Sequence, residues 1–138
     1  MKHHTLSRVA ERLYWLGRYI ERAESTTRLI MVNANLLIDF PVRLPEGWRP
    51  LIDISGADEL FDSLYSDPSE RNVVRILEHD RRNPSSIVCS VGAARENART
   101  VRNTMPRSTF EIVNDLYLCA RSELGAGSRA RRQDALTG

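Results

Sequence analysis

The sequence predicts an all-α protein, an antiparallel helical bundle built around one long N-terminal helix. Residues 6–40 contain no proline and carry apolar side chains at steps of three and four, which is the spacing of one face of a helix. Later segments repeat this spacing between short turns. The strand-like words "PLIDIS" and "SSIVCSV" are short and are flanked by helical patterns, so no strand is expected.

The first helix is predicted to run from Val9 to Asp39. Ser7 precedes it as an N-cap candidate, and Pro41 ends it because proline cannot continue a helix. The next stretch, "PVRLPEGWRPLIDISGADEL", contains three prolines and two glycines. It therefore predicts an irregular crossover, followed by a short helix over 57–65.

The next helix is predicted from its start signals. Asp67 is the N-cap candidate, Pro68 takes the first helical position and Glu70 follows three residues after the cap. This helix extends to about His79. The word "DRRNPSS" then predicts a turn.

Two further helices complete the predicted bundle. Ser85 or Ser86 caps the first of them, and Pro106 opens the second, which Gly125 ends. The tail 126–138 is small and basic, and we expect a flexible end or a truncated helix. The whole chain, 1–138, is expected to form one helical domain, since its length suits a single core.

Composition excludes some classes of protein. The formal charge of +2 is too small for a dedicated nucleic-acid binder, and no apolar run reaches the length of a membrane span. Cys89 and Cys119 fall within apolar helical patterns, which indicates buried free thiols. With no signal segment at the start, these features predict a cytoplasmic protein that binds neither nucleic acid nor membrane.

The charge density of the first helix is its unusual feature. Gly17, Glu21, Glu24 and Arg28 share one side of the helix, and Glu24 and Arg28 have the spacing of a favourable ion pair. Arg18 can reach either Glu21 or the partner of Arg22 on another helix. Glycine within a helix costs about 1 kcal/mol relative to alanine, so Gly17 indicates a close approach by another backbone or a ligand.

The helix after Ser86 carries a second cluster in "AARENARTVRN". If the two clusters face each other, their arginines and glutamates can form an interhelical salt-bridge network. The same groups could instead bind a phosphate or a peptide carboxylate. The candidate ligand- or partner-binding residues are Arg18, Glu21, Arg22, Glu24, Arg28, Arg95, Glu96 and Arg99.

Self-contained catalysis is not expected. A carboxylate-bridged metal bundle needs Glu-x-x-His pairs, whereas Glu78 and His79 are adjacent. The sequence contains neither a Gly-x-Ser-x-Gly elbow nor a glycine-rich phosphate loop. We therefore predict no catalytic residue, no metal ligand and no cofactor.

Several separated words resemble one known family. The stretch "LSRVAERLYWLGRYIERAESTTRLI" resembles the opening of the bacterial alpha-E domain family, whose Glu-Arg motif corresponds to Glu21-Arg22. The likeness continues through "GWRPLIDISGADELF", "NPSSIVCSVGAARENARTVRNTMP" and "FEIVNDLYL". It covers most of the chain, from Leu6 to about Leu118.

The resemblance implies a helical bacterial protein that accompanies ATP-grasp ligases and transglutaminase-like proteases in systems that make or modify peptides. It also implies the N-terminal half of a larger helical domain, with exposed apolar surface. The first hypothesis is an accessory module that binds an ATP-grasp ligase or its peptide substrate. The alternatives are an enzyme of peptide or amide metabolism with an Arg/Glu pocket, and a structural homodimer.

Overall fold

The all-α prediction is confirmed. The computed structural model describes the backbone of residues 2–40 and 46–137, and the side chains of 5–40 and 46–122. The regular structure in these ranges is helical throughout. The helices are α1 Lys2–Asp39, α2 Arg49–Ser55, α3 Asp58–Leu64, α4 Glu70–Glu78, α5 Ile87–Thr100 and α6 Arg107–Thr137, with a 3-10 turn at Arg102–Thr104.

The chain forms two compact units. Unit 1 combines Met1–Glu21 with Ser90–Gly138, and unit 2 is Arg22–Cys89. The long helices α1 and α5 each contribute residues to both units.

Unit 2 has an apolar core built from α2, α3 and α4. Helix α4 buries Val73, Val74, Ile76 and Leu77, which lie on one side of it, as expected for a helix with one apolar face. Ile30 of α1 and the Trp48 ring pack against this core. Its buried residues are Leu51, Ile52, Phe61, Val73, Ile76 and Leu77.

The irregular crossover predicted before residue 57 is wrong for residues 49–55, which form α2. Pro50 lies in the first turn, where its missing N–H costs nothing. Gly56 ends the helix in the left-handed region, with φ of 74°, and its N–H bonds to the carbonyl of Asp53. The part of the predicted crossover at 41–45 lies outside the described residues.

Two predicted N-caps are wrong. Helix α1 begins at Lys2 and passes through Ser7, because nothing in residues 2–8 breaks a helix. Helix α4 begins at Glu70, after Ser69, whose hydroxyl accepts the Asn72 N–H at 3.4 Å. The backbone carbonyl oxygen of Asp67 instead accepts a hydrogen bond from the side chain of Asn72. Pro68 lies before the start of the helix.

The predicted turn at 80–86 is confirmed, and buried polar groups hold it. The Asp80 carboxylate accepts hydrogen bonds from the backbone N–H and the guanidinium of Arg82. Asn83 is buried and donates to the carbonyl oxygen of Ile76 at 2.9 Å. The Ser86 hydroxyl accepts the N–H of Cys89 at 3.3 Å, which confirms Ser86 as a cap of α5.

In unit 1, α5 and α6 run antiparallel. As residue numbers rise along α5, their partners on α6 fall, from the Gly92 contact with Tyr117 to the stacking of Arg102 on Phe110. The face of α5 that is buried consists mostly of small side chains, which allow neighbouring helices to approach closely. Within unit 1 these residues are Ser90, Val91, Ala94, Asn97 and Ala98.

Helix α6 does not end at Gly125 as predicted but continues to Thr137. Glycine lowers the stability of a helix without preventing it. The cysteine prediction is wrong in part, since Cys89 is half-buried and Cys119 is exposed, although both thiols are free. No helix of the described residues is long and apolar enough to span a lipid bilayer.

Candidate partner-binding face

The charged residues of α1 form ion pairs within the helix. Arg18 and Glu21 approach to 3.6 Å between Nη1 and Oε2, and Glu24 and Arg28 approach to 2.6 Å. Both predicted pairings are therefore confirmed. All four side chains remain more than half exposed, so these charges can also meet a partner.

An exposed aromatic side chain lies beside the first of these ion pairs, within unit 1. Residues three or four apart in a helix lie on the same side of it, and this spacing places Tyr14 on the side of Arg18 and Glu21. Tyr14 is 61% exposed. We call Tyr14, Gly17, Arg18 and Glu21, all of unit 1, the outer stripe of α1.

The second charged cluster divides between two environments. Glu96 and Arg99 form an exposed pair within α5 at 3.2 Å. Arg95 instead contacts α6, where it donates to Asn114 at 2.8 Å and stacks on Tyr117 at 4.8 Å from the ring centroid. Its role in the described structure is therefore to join α5 to α6.

Sequence reasoning missed the polar contact between α1 and α5 inside unit 1. Arg12 donates from Nη1 to the side-chain oxygen of Asn97 at 3.1 Å. Asn97 is only 6% exposed, and a buried amide requires a partner. The detectable signal was a polar residue on an apolar stripe, between Ala94 and Val101.

A groove also lies in unit 1, with a volume of about 530 Å³. It was not predicted, although its charged residues come from the word "SRVAERLYW". Its lining residues are Thr5, Arg8, Val9, Glu11, Arg12, Trp15, Thr100 and Val101.

Gly17 shows no close approach within the described structure. A Cβ placed on it would meet nothing within 4 Å beyond its own helix. The expectation of a backbone packed against it is therefore wrong for the described residues. Because Gly17 has no side chain, the helix backbone is accessible at this position of the outer stripe.

A family model matches residues 5–137, and its description is a predicted alpha-helical domain with a conserved ER motif. The chain belongs to the alpha-E family. No curated protein and no solved structure matches the chain.

This alpha-E chain contains the dipeptide Glu-Arg three times, beginning at Glu11, Glu21 and Glu70. Only Glu21-Arg22 includes a residue of the outer stripe, because Glu11 and Arg12 line the groove and Glu70 begins α4. The Arg22 carbonyl oxygen accepts a bond from the Thr26 hydroxyl at 2.9 Å. The Arg22 side chain is exposed.

Arg49 joins two helices of the unit 2 core of the alpha-E chain. Arg49 forms two hydrogen bonds with Asp62, of 2.6 and 3.2 Å, and lies over the Phe61 ring. The hydrogen bond from Arg49 holds the pKa of Asp62 below its usual value, and the same bond raises the pKa of Arg49. These residues therefore connect α2 to α3.

Unit 2 also contains an apolar groove of about 580 Å³, lined by Asn33, Leu36, Leu37, Phe40, Glu46, Gly47 and Pro50. Among the described side chains, no group of three or more His, Cys, Asp or Glu residues could hold a metal ion.

Proposed function

We propose that this alpha-E chain is an accessory helical module that binds a partner protein through the outer stripe of α1. The observation that carries the proposal is the exposure of the Arg18–Glu21 ion pair beside the exposed side chain of Tyr14. Protein interfaces combine an apolar anchor with a polar rim in this way. Surface ion pairs contribute less than about 1 kcal/mol to folding, so fold stability alone accounts poorly for the stripe.

The arrangement favours binding over catalysis at these residues. An Arg/Glu catalytic pocket would bring the two charged clusters together around a cavity. Instead, Glu96 pairs with Arg99 on its own helix, and Arg95 contacts α6. The groove that unit 1 does contain is lined by other residues.

The partner we propose is an ATP-grasp ligase, or the peptide on which it acts, with a transglutaminase-like protease in the same system. The support for this choice is the resemblance of several separated sequence segments to the alpha-E domain family, whose members accompany such enzymes. A ligase of this class uses ATP, so the proposal places the complex in the cytoplasm.

A co-purification experiment tests the proposal. The chain is tagged and co-expressed with an ATP-grasp protein of the same bacterium, and the retained ligase is quantified. We expect Glu21→Ala and Arg18→Ala each to lower retention about tenfold, the effect of losing an important contact at an interface. Glu111→Ala is the matched control, because Glu111 also forms an exposed ion pair within one helix of unit 1, with Arg107 at 2.8 Å.

Thermal melts of the same variants separate binding from folding. The Glu21→Ala and Glu111→Ala proteins should melt within a few degrees of the wild type, since each loses one exposed ion pair. Undiminished retention by both stripe variants, with wild-type melting, would remove the basis of the proposal.

A further inference from the structure

We infer that the groove of unit 1 binds the carboxylate of a small ligand, with the C-terminus of a short peptide as the ligand class. The groove shares no residue with the outer stripe, so the inference goes beyond the proposed function and does not depend on it. It is built from the first turns of α1 together with Thr100, the last residue of α5, and Val101, which follows it. Its volume of about 530 Å³ lies within the usual range for small-molecule sites, about 300–1,000 Å³.

Two arginines supply the positive charge. Arg8 and Arg12 are one helical turn apart and both line the groove. Like charges at this spacing repel each other, and neither makes a salt bridge with another described residue. A bound anion would remove this repulsion, and guanidinium groups bind a carboxylate through paired hydrogen bonds.

Asn97 fixes one of the two arginines. The buried side-chain oxygen of Asn97 accepts one hydrogen bond from Arg12, at 3.1 Å. Most N–H donors of the guanidinium therefore remain for a ligand. Because Asn97 sits on the packed face of α5, Arg12 is held at the groove before any ligand arrives.

Glu11 narrows the class of ligand. It lines the groove, and no salt bridge joins it to another residue within the described ranges. Together with Arg8 and Arg12 it leaves a formal charge of +1, which matches one carboxylate better than a doubly charged phosphate. Its own carboxylate suits an ammonium or amide N–H group of the same ligand.

Trp15 provides an apolar wall. Its ring meets Tyr14 at 5.5 Å between centroids, nearly perpendicular, and Tyr19 at 5.9 Å. These contacts orient the indole, which is 41% exposed in total. An aromatic surface beside a carboxylate site accommodates the side chain of a C-terminal residue.

Peptide titrations test the inference. The tripeptide Gly-Gly-Phe with a free C-terminus, its C-terminal amide and inorganic phosphate are each titrated into the full chain, with calorimetry as the readout. The test variant is Arg8→Gln, because Arg8 is exposed and makes no hydrogen bond or salt bridge with another described residue. Arg107→Gln is the control, an exposed arginine of unit 1 outside the groove.

The free-acid peptide should bind the wild type and the Arg107→Gln protein equally. Binding of the C-terminal amide to the wild type should be about tenfold weaker, and so should binding of the free acid to Arg8→Gln. Each change removes charge-assisted hydrogen bonds. A quench of tryptophan fluorescence on binding should disappear in Trp15→Phe and persist in Trp48→Phe.

Any of four results would overturn the inference. The first two are no binding of the free acid up to ~10 mM and equal affinity for the acid and the amide. The other two are tighter binding of phosphate than of the free-acid peptide, and equal affinity of the wild type and Arg8→Gln for the free acid. None of these results bears on retention of the ligase by the outer stripe.

Discussion

At the scale of single residues, buried polar side chains hold the turn between α4 and α5. Asp80 is 8% exposed, and three hydrogen bonds from Arg82 reach its two carboxylate oxygens. The bond from the Arg82 side chain is the main cause that holds the pKa of Asp80 below its ordinary value, against the opposing effect of burial. The charged carboxylate therefore stabilises the folded state.

This shift predicts acid sensitivity of unit 2. A lowered carboxyl pKa contributes stability that is complete above the unfolded aspartate pKa, about 3.9. That stability is lost as the pH falls through the lower pKa of the folded state. The melting temperature of Asp80→Asn should therefore lie below that of the wild type at pH 6, and the difference should shrink as the pH approaches 2.

Asp67→Asn is the control, because Asp67 is exposed and its carboxylate forms no salt bridge with another described residue. The assigned role of the charge would be contradicted if the difference in melting temperature between Asp80→Asn and the wild type stayed constant as the pH is lowered from 6.

The sequence predicts contacts between near neighbours better than contacts between helices. Spacing alone indicates the pairs Arg18–Glu21 and Glu24–Arg28, because helix geometry fixes the distance between such residues. The partner of Arg95 depends on how α5 is rotated toward α6, which local spacing does not encode. For the same reason, local spacing predicts neither the hydrogen bond between Arg12 and Asn97 nor the groove that Arg12 lines.

At the scale of helices, the bond between Arg12 and Asn97 locks α1 to α5 within unit 1. Arg12→Ala leaves the buried Asn97 oxygen without this partner, so we expect a loss of about 1–3 kcal/mol in the free energy of unfolding. Urea denaturation of Arg12→Ala, Asn97→Ala and the double variant measures the coupling. It should be about 1 kcal/mol, and strict additivity would show that the bond adds no stability.

Two glycines should respond to alanine with opposite signs. Gly17→Ala should stabilise the protein by about 1 kcal/mol, because the added methyl group meets open space in the middle of a helix. Gly56→Ala should destabilise it by about 1–2 kcal/mol, since its φ of 74° strains any residue with a Cβ.

Urea denaturation midpoints of the two glycine variants test the predicted opposite changes in stability. Destabilisation by Gly17→Ala would mean that another part of the chain packs on that site. A stabilised Gly17→Ala protein that binds its partner less well would instead place the partner on the outer stripe.

At the scale of the whole molecule, many large apolar side chains remain in contact with solvent. Helix α6 exposes Ile112 at 67% and Leu118 at 47%, and α1 exposes Met31 at 61%. Exposed apolar surface of this extent is typical of proteins that bind partners. The all-α class and the family were predictable from periodicity and sequence words, whereas the division into two units depends on contacts that no single segment specifies.

Oxidative footprinting of the complex tests the central claim most directly. Hydroxyl radicals label exposed side chains, and residue-resolved mass spectrometry compares the free chain with the chain bound to the ATP-grasp protein. Oxidation of Tyr14, in the outer stripe, should fall severalfold on binding, while that of Ile112 on α6 stays constant. Unchanged oxidation of Tyr14 in a complex that has demonstrably formed would contradict the account.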